Sequence, residues 1–344
     1  MELRKVQRLG KSSLVVTLPL EWCKRYNLKP GDLIALVNEG VLLKIIPFTH
    51  TKMIRSIELN LLNLKDRKLS FLARFIGPCT YTLGYDRVTL HVKPECSKHL
   101  MDIKRSVVKL LGVEVSSLSP ESLSYKVLLD SDLLDPRDYI RRLTWIAVKV
   151  LDLLAMVFQG LNIRFEEFDE LKEEFRVARI TAERSLHTWG EMLYDMKEAW
   201  ISITFISLLS ITTSILLDVL EYAMRTLIAV PTINIRSDKL SVIARCASRT
   251  LTKLAVIARN YKHEDNVNHV LELVLELEEL EKTLIEMLDD PSLDKGVLVV
   301  VARLTDAIKM IKIVAYALTC ITLVTVSVRE ALTSPLVAGL NDHS

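Results

Sequence analysis

The sequence predicts a multidomain α+β protein: a short β-rich head, a small α/β module and a long helical bundle. Three observations carry this. Half of the 344 residues are apolar while only ten are glycine and ten proline, a composition that favours long packed helices over a turn-rich β fold. Residues 1–49 break this pattern, being short in period, closely punctuated by turn residues and basic. From residue 133 onward the apolar positions recur at helical spacing over six long stretches, with residues 50–132 alternating strand and helix signals before them.

In the head, Leu3, Val6 and Leu9 mark a first strand, and Gly10-Lys11-Ser12-Ser13 is turn chemistry. Residues 14–18 form a β-branched second strand that Pro19 stops, and residues 19–26 read as a short helix with proline in its first turn. Asn27-Leu28-Lys29-Pro30-Gly31-Asp32 is a tight turn, and residues 33–37 and 41–46 flank Asn38-Glu39-Gly40 as a hairpin.

The order Val6-Gln7-Arg8-Leu9-Gly10-Lys11-Ser12-Ser13, Val16-Thr17-Leu18-Pro19, Leu28-Lys29-Pro30-Gly31-Asp32 resembles the SpoVT/AbrB-type swapped-hairpin domain. The resemblance implies that two chains interleave into one dimeric β-barrel that binds DNA. It also implies a DNA-facing set of Arg4, Lys5, Gln7, Arg8, Lys11, Ser12, Ser13 and Thr17. Two independent arguments agree. About 45 residues cannot bury a sufficient core alone. Residues 1–30 also hold seven cations (Arg4, Lys5, Arg8, Lys11, Lys24, Arg25, Lys29) against Glu2 and Glu21, in a chain whose net charge is only +2. Lysines that discourage edge pairing of strands are the competing explanation of that charge.

In the module, residues 55–61 alternate as a strand and residues 65–76 have helical periodicity. Gly77-Pro78 is expected to break the chain before two short strands, 79–83 and 88–92. An amphipathic helix over 94–111 follows, capped by Gly112, and then a strand pair over 113–118 and 123–129. His91 and His99 read as single histidines at surface-like or half-buried positions, without a chemical role.

Asp135 is a good N-cap with Pro136 at the first helical position, so the helices begin there. They are expected over 137–158, 164–192, 195–230, 238–261, 265–288 and 293–332, leaving a flexible tail over 335–344.

The run from Lys126 through Leu133-Leu134-Asp135-Pro136, then Arg141-Arg142-Leu143 and Ile146-Ala147, resembles the join between module and helices in archaeal PhoU-type proteins that carry an AbrB-type head. Residues 242–249 (VIARCASR) and 300–307 (VVARLTDA) are similar to that family's repeated helix, at a spacing of about 58 residues. The resemblance implies a bundle of two degenerate three-helix units and a part in phosphate-uptake control. It also implies carboxylates for a metal cluster, yet the matched positions here are Ser248, Thr252, Asp306 and Met310, so only Asp306 is acidic. No metal or other cofactor is therefore expected. Glu166/Glu170, Glu191/Asp195, Glu272/Glu276 and Glu286/Asp290 are ordinary solvated i,i+4 pairs, and Glu183/His187 lacks the second histidine of a zinc site.

Residues 199–217 are nineteen without a charge and 313–328 are sixteen, close to membrane-spanning length. Seven Ser/Thr in the first, with Glu198 and Asp218 bracketing it, argue for helices buried in a bundle instead of membrane insertion. Five cysteines (Cys23, Cys79, Cys96, Cys246, Cys320) without a CxxC pair fit buried thiols in a reducing compartment, and a start charged from Glu2 is unlike a secretory leader. The expected location is cytoplasmic. No nucleophile–base pair or phosphate loop marks an enzyme. The reading is a homodimeric, or higher-order, DNA-binding transcriptional regulator whose bundle responds to a signal or partner. The alternative is an adaptor docking its bundle on a membrane transporter or sensor, its DNA binding vestigial.

Overall fold

The computed structural model describes residues 3–10, 13–25, 27–39, 42–47, 54–129, 136–192, 196–229, 236–259 and 266–333. They are mixed α and β, mostly helical, with small sheets earlier in the chain and helices later. The chain divides into two compact units, a head of Met1–Ile54 with Tyr194–Met196, and a body of Arg55–Leu193 and Lys197–Ser344.

In the head, β1 (Gln7–Leu9) pairs antiparallel with β2 (Ser13–Val15), and α1 (Leu20–Arg25) follows Pro19. Asn27 ends α1 in the left-handed region at φ 50°, with the Leu28 amide donating back to the Cys23 carbonyl at 2.9 Å, as a helix C-cap requires. Lys29-Pro30-Gly31-Asp32 then turns, the Asp32 amide reaching the Lys29 carbonyl at 3.0 Å and the Asp32 carboxylate accepting from the Lys29 amide at 2.7 Å. Gly31 at φ 98° occupies the third position of this turn, where a side chain would be strained, and Pro30 pre-sets the second. The hairpin of β3 (Ile34–Glu39) and β4 (Leu42–Pro47) completes the head as a second two-stranded sheet.

The body opens with β5 (Ser56–Asn60), α2 (Asp66–Leu72), α3 (Ile76–Thr82) and β6 (Arg87–His91). A single-turn 3-10 helix (Pro94–Cys96), α4 (Ser97–Val107), β7 (Val113–Leu118) and β8 (Ser122–Val127) follow. The sheet order is β5-β6-β8-β7, with β5 and β6 parallel across the α2–α3 crossover and the other pairs antiparallel. Inward residues alternate along β6 and β8, and Val88, Leu90, Leu123 and Tyr125 meet Leu100, Ile103 and Val107 of α4 in one core.

One expectation is overturned here. Residues 79–83 are not a strand, because Ile76–Thr82 is α3. Pro78 lies in the first turn of this helix, where its missing N–H breaks no bond, so the Gly-Pro pair starts a helix instead of separating elements. Glycine is demanded at 77 by packing, since a Cβ there would lie 2.3 Å from Cγ1 of Val107 on α4.

Among the described residues that follow are six helices: α5 (Pro136–Phe158), α6 (Phe165–Met192), α7 (Met196–Ala229), α8 (Asp238–Arg259), α9 (Asn266–Leu288) and α10 (Lys295–Thr333). α5 lies closest to α8, and α9 to α10. Ser237 caps α8 through its hydroxyl, which accepts from the Leu240 amide at 3.2 Å, while its own amide donates to the Phe158 carbonyl. Leu143, Phe158, Phe168, Phe205, Leu277 and Leu304 lie in one continuous core. Asp135 and the 335–344 tail fall outside the described residues.

Within α7, Ile203–Leu227 is long and apolar enough to cross a membrane by length and composition, with a mean hydropathy of 2.0. It is not buried all round. Phe205, Leu209, Leu216 and Leu220 face the core, with the Thr212 and Thr213 hydroxyls donating to carbonyls four residues back. Ile203, Ser207, Ile211, Ser214 and Asp218 form the exposed side.

Candidate nucleic-acid interface

The DNA-facing set proposed from the sequence centres on the β1–β2 hairpin. Its register pairs Gln7 with Val15, Arg8 with Leu14 and Leu9 with Ser13. Side chains of a strand alternate between faces, so Gln7 and Ser13 share one face and Arg8 lies on the other with Leu14. Arg4, Lys5, Gln7, Arg8, Ser13 and Thr17 are all exposed, and the Arg4 guanidinium reaches the Thr17 hydroxyl at 3.5 Å, bringing those two together. Lys11 and Ser12 fall outside the described residues.

Leucines of both hairpins are open to water. Leu9 is 63% exposed, Leu14 71% and Leu36 60%, and Leu3, Val6 and Leu43 are similarly bare. The pattern of the strands is that of a half-buried sheet, yet among the described residues these leucines of both hairpins stand open to water.

The bundle positions matched to metal ligands divide in the same way. Ser248 is buried on α8, whereas Asp306 is exposed on α10. The burial pattern of residues 242–249 recurs over 299–306, one residue out of phase with the sequence match. Ser248 thus corresponds in environment to the buried Thr305, and Asp306 to the exposed Arg249. Among the described residues no three His, Cys, Asp or Glu side chains converge as a metal site. Glu272 is exposed, and Glu276 accepts from the Thr250 hydroxyl at 3.0 Å and pairs with Lys253 at 3.6 Å. Asp290 takes the Ser292 amide and hydroxyl at 2.9 and 2.6 Å, which hold its carboxyl below the usual range. The side chains of Glu191 and Asp195 lie outside the described residues. Glu183 pairs loosely with Arg179 at 3.8 Å, and burial pushes its carboxyl up.

Two buried polar contacts escaped the sequence. His99 is buried, not surface-like, and its Nε2 sits 2.8 Å from the Asp66 carboxylate, tying α4 to the first turn of α2. Hydrogen bonds from His99 and Lys98 hold the Asp66 carboxyl below its ordinary range. Arg184 on α6 is 0% exposed and reaches from the bundle into the module. Its guanidinium donates to the Tyr81 carbonyl at 2.9 Å, the Tyr85 carbonyl at 3.0 Å and the Asp86 carboxylate at 2.7 Å, and lies 4.9 Å from the Tyr81 ring centroid. The other Asp86 oxygen accepts the Arg55 amide at 3.0 Å. Ile180, one turn earlier on α6, joins the module's core. The cysteines are all free, but of the five only Cys96 is buried, while Cys79 and Cys320 are exposed.

No family model, curated protein or solved structure matches the chain.

Proposed function

We propose that the chain is a DNA-binding transcriptional regulator, dimeric through its head, acting in the control of phosphate uptake. One observation carries the reading: in a head whose first thirty residues hold seven cations, two hairpins leave leucines on both sheets open to water, which a second copy of the head would cover. Interleaving two heads into a swapped-hairpin barrel buries these leucines and doubles the cationic excess on one particle, as binding to phosphates needs. Arg8 is then the candidate base reader, since a guanidinium can hold a guanine edge bidentately, and Lys11 the phosphate contact. The assignment to phosphate uptake rests on the PhoU-type resemblance alone.

The test is recovery and sequencing of genomic DNA bound by the full chain, followed by titration of the best fragment. Arg8→Ala is expected to weaken specific binding by about 1–3 kcal/mol, and Lys11→Ala to weaken all sequences alike and flatten the salt dependence. A double variant that binds as well as the parent removes the head as the DNA reader. Fragments unrelated to phosphate transport remove only the phosphate assignment.

A further inference from the structure

Within the body, a groove of about 420 Å³ opens at the start of α5, lined by Asp138, Tyr139, Arg141, Arg142 and Trp145. Helical spacing sets Asp138, the adjacent pair Arg141 and Arg142, Trp145 and Lys149 along one side of α5, with the pair and Trp145 each three or four residues beyond the group before. The opposite side, with Ile140, Leu143, Ile146 and Ala147, is committed to the bundle core. Trp145 is 50% exposed, and the Lys149 ammonium lies 5.5 Å from its ring centroid. An indole left half in water within a cationic surround makes no use of the core beneath it.

The arginines are held but not committed. Arg141 pairs with Asp138 at 3.1 Å and Arg142 with Glu174 of α6 at 3.4 Å, all four side chains standing about a third exposed or more. Ion pairs of this kind are weak in water and exchange readily for a stronger anion. A phosphate offers each guanidinium two oxygens in matching geometry, which an isolated carboxylate pair on a surface does not surpass. Tyr139 lines the groove beside them, and burial pushes its hydroxyl up to about 12.

We propose that this groove binds a nucleoside phosphate, its base stacked on Trp145 and its phosphates held by Arg141 and Arg142. The ring distinguishes this ligand from inorganic phosphate, for which a flat apolar platform has no use. The size distinguishes it from a protein partner. A few side chains on two turns of one helix fall far short of the roughly 800 Å² per side of a stable protein interface, whereas small-ligand pockets span about 300–1,000 Å³. The proposal is independent of DNA recognition by the head, and either can fail alone.

The experiment is calorimetric titration of the full chain with ATP, AMP, pyrophosphate and a short DNA duplex. ATP is expected to bind saturably and more tightly than pyrophosphate. Trp145→Ala is expected to weaken ATP by roughly 5- to 150-fold, the contribution of one base stacked on an aromatic ring. Trp145→Phe is expected to restore most of that loss, because a phenyl ring still stacks. Arg141→Gln with Arg142→Gln is expected to abolish the advantage of ATP over AMP. Unchanged thermal melting of these surface variants separates lost binding from lost folding. Any of four results overturns the proposal: no nucleotide binding at millimolar concentration, ATP binding indifferent to Trp145→Ala, pyrophosphate as tight as ATP, or a site taken by duplex alone.

Discussion

Leu143, Leu277 and Leu304 of the body are withdrawn from water, whereas Leu9, Leu14 and Leu36 of the head stand more than half exposed. Both regions are patterned with apolar residues at the period of their secondary structure. They differ in what the single chain can lay against that pattern. In the body, helices of 22 to 39 residues pack on one another, and α4 covers the sheet. In the head, the described residues form two hairpins and one helix of six residues, and leave those leucines exposed. Local pattern specifies where a core should be, and only sufficient length supplies it.

The largest expected effect separates the two units outright. Residues 1–54 alone should be a dimer or unfolded, and 55–344 alone should keep a cooperative melt and its helical signal. A monodisperse, folded monomeric head by light scattering would break the comparison. Next in size is Arg184→Ala, which strands the Asp86 carboxylate and two carbonyls in a buried site. Breaking one half of such a pair costs about 3–5 kcal/mol, readable as a shifted denaturation midpoint of the body. Gly77→Ala should cost about 1–3 kcal/mol by forcing α3 off α4, and a neutral outcome would mean that Val107 yields easily.

The smallest effects are in pH. A carboxyl lowered by folding lends stability that is complete above its unfolded value, about 4, and is lost as pH falls through the folded one. Asp66 is such a group, so Asp66→Asn should flatten the acid limb of melting temperature against pH. Glu183 has the opposite sign, its raised value costing stability as pH climbs past the carboxylate range. Glu183→Gln should remove that loss, and parallel pH profiles for either variant and the parent would contradict the assignment.

The six helices, the Pro30-Gly31 turn and the strands Arg87–His91 and Val113–Leu118 were legible in the sequence, since periodicity, caps and turn residues act within a few positions. The helix at Ile76–Thr82 was not. Its Cys-Thr-Tyr-Thr composition favours a strand, and the packing of Gly77 on Val107, thirty residues away, overrides it. The opposed faces of Arg8 and Ser13 follow from strand register, which motif matching does not encode. By itself, then, the sequence determined the local elements and the placement of charge along the chain. The partner of Arg184 and the phase by which Asp306 faces water while Ser248 does not were decided by tertiary structure. The reason is physical: a helix can rotate by one residue, or a cation find a carboxylate 98 positions away, without altering any local preference.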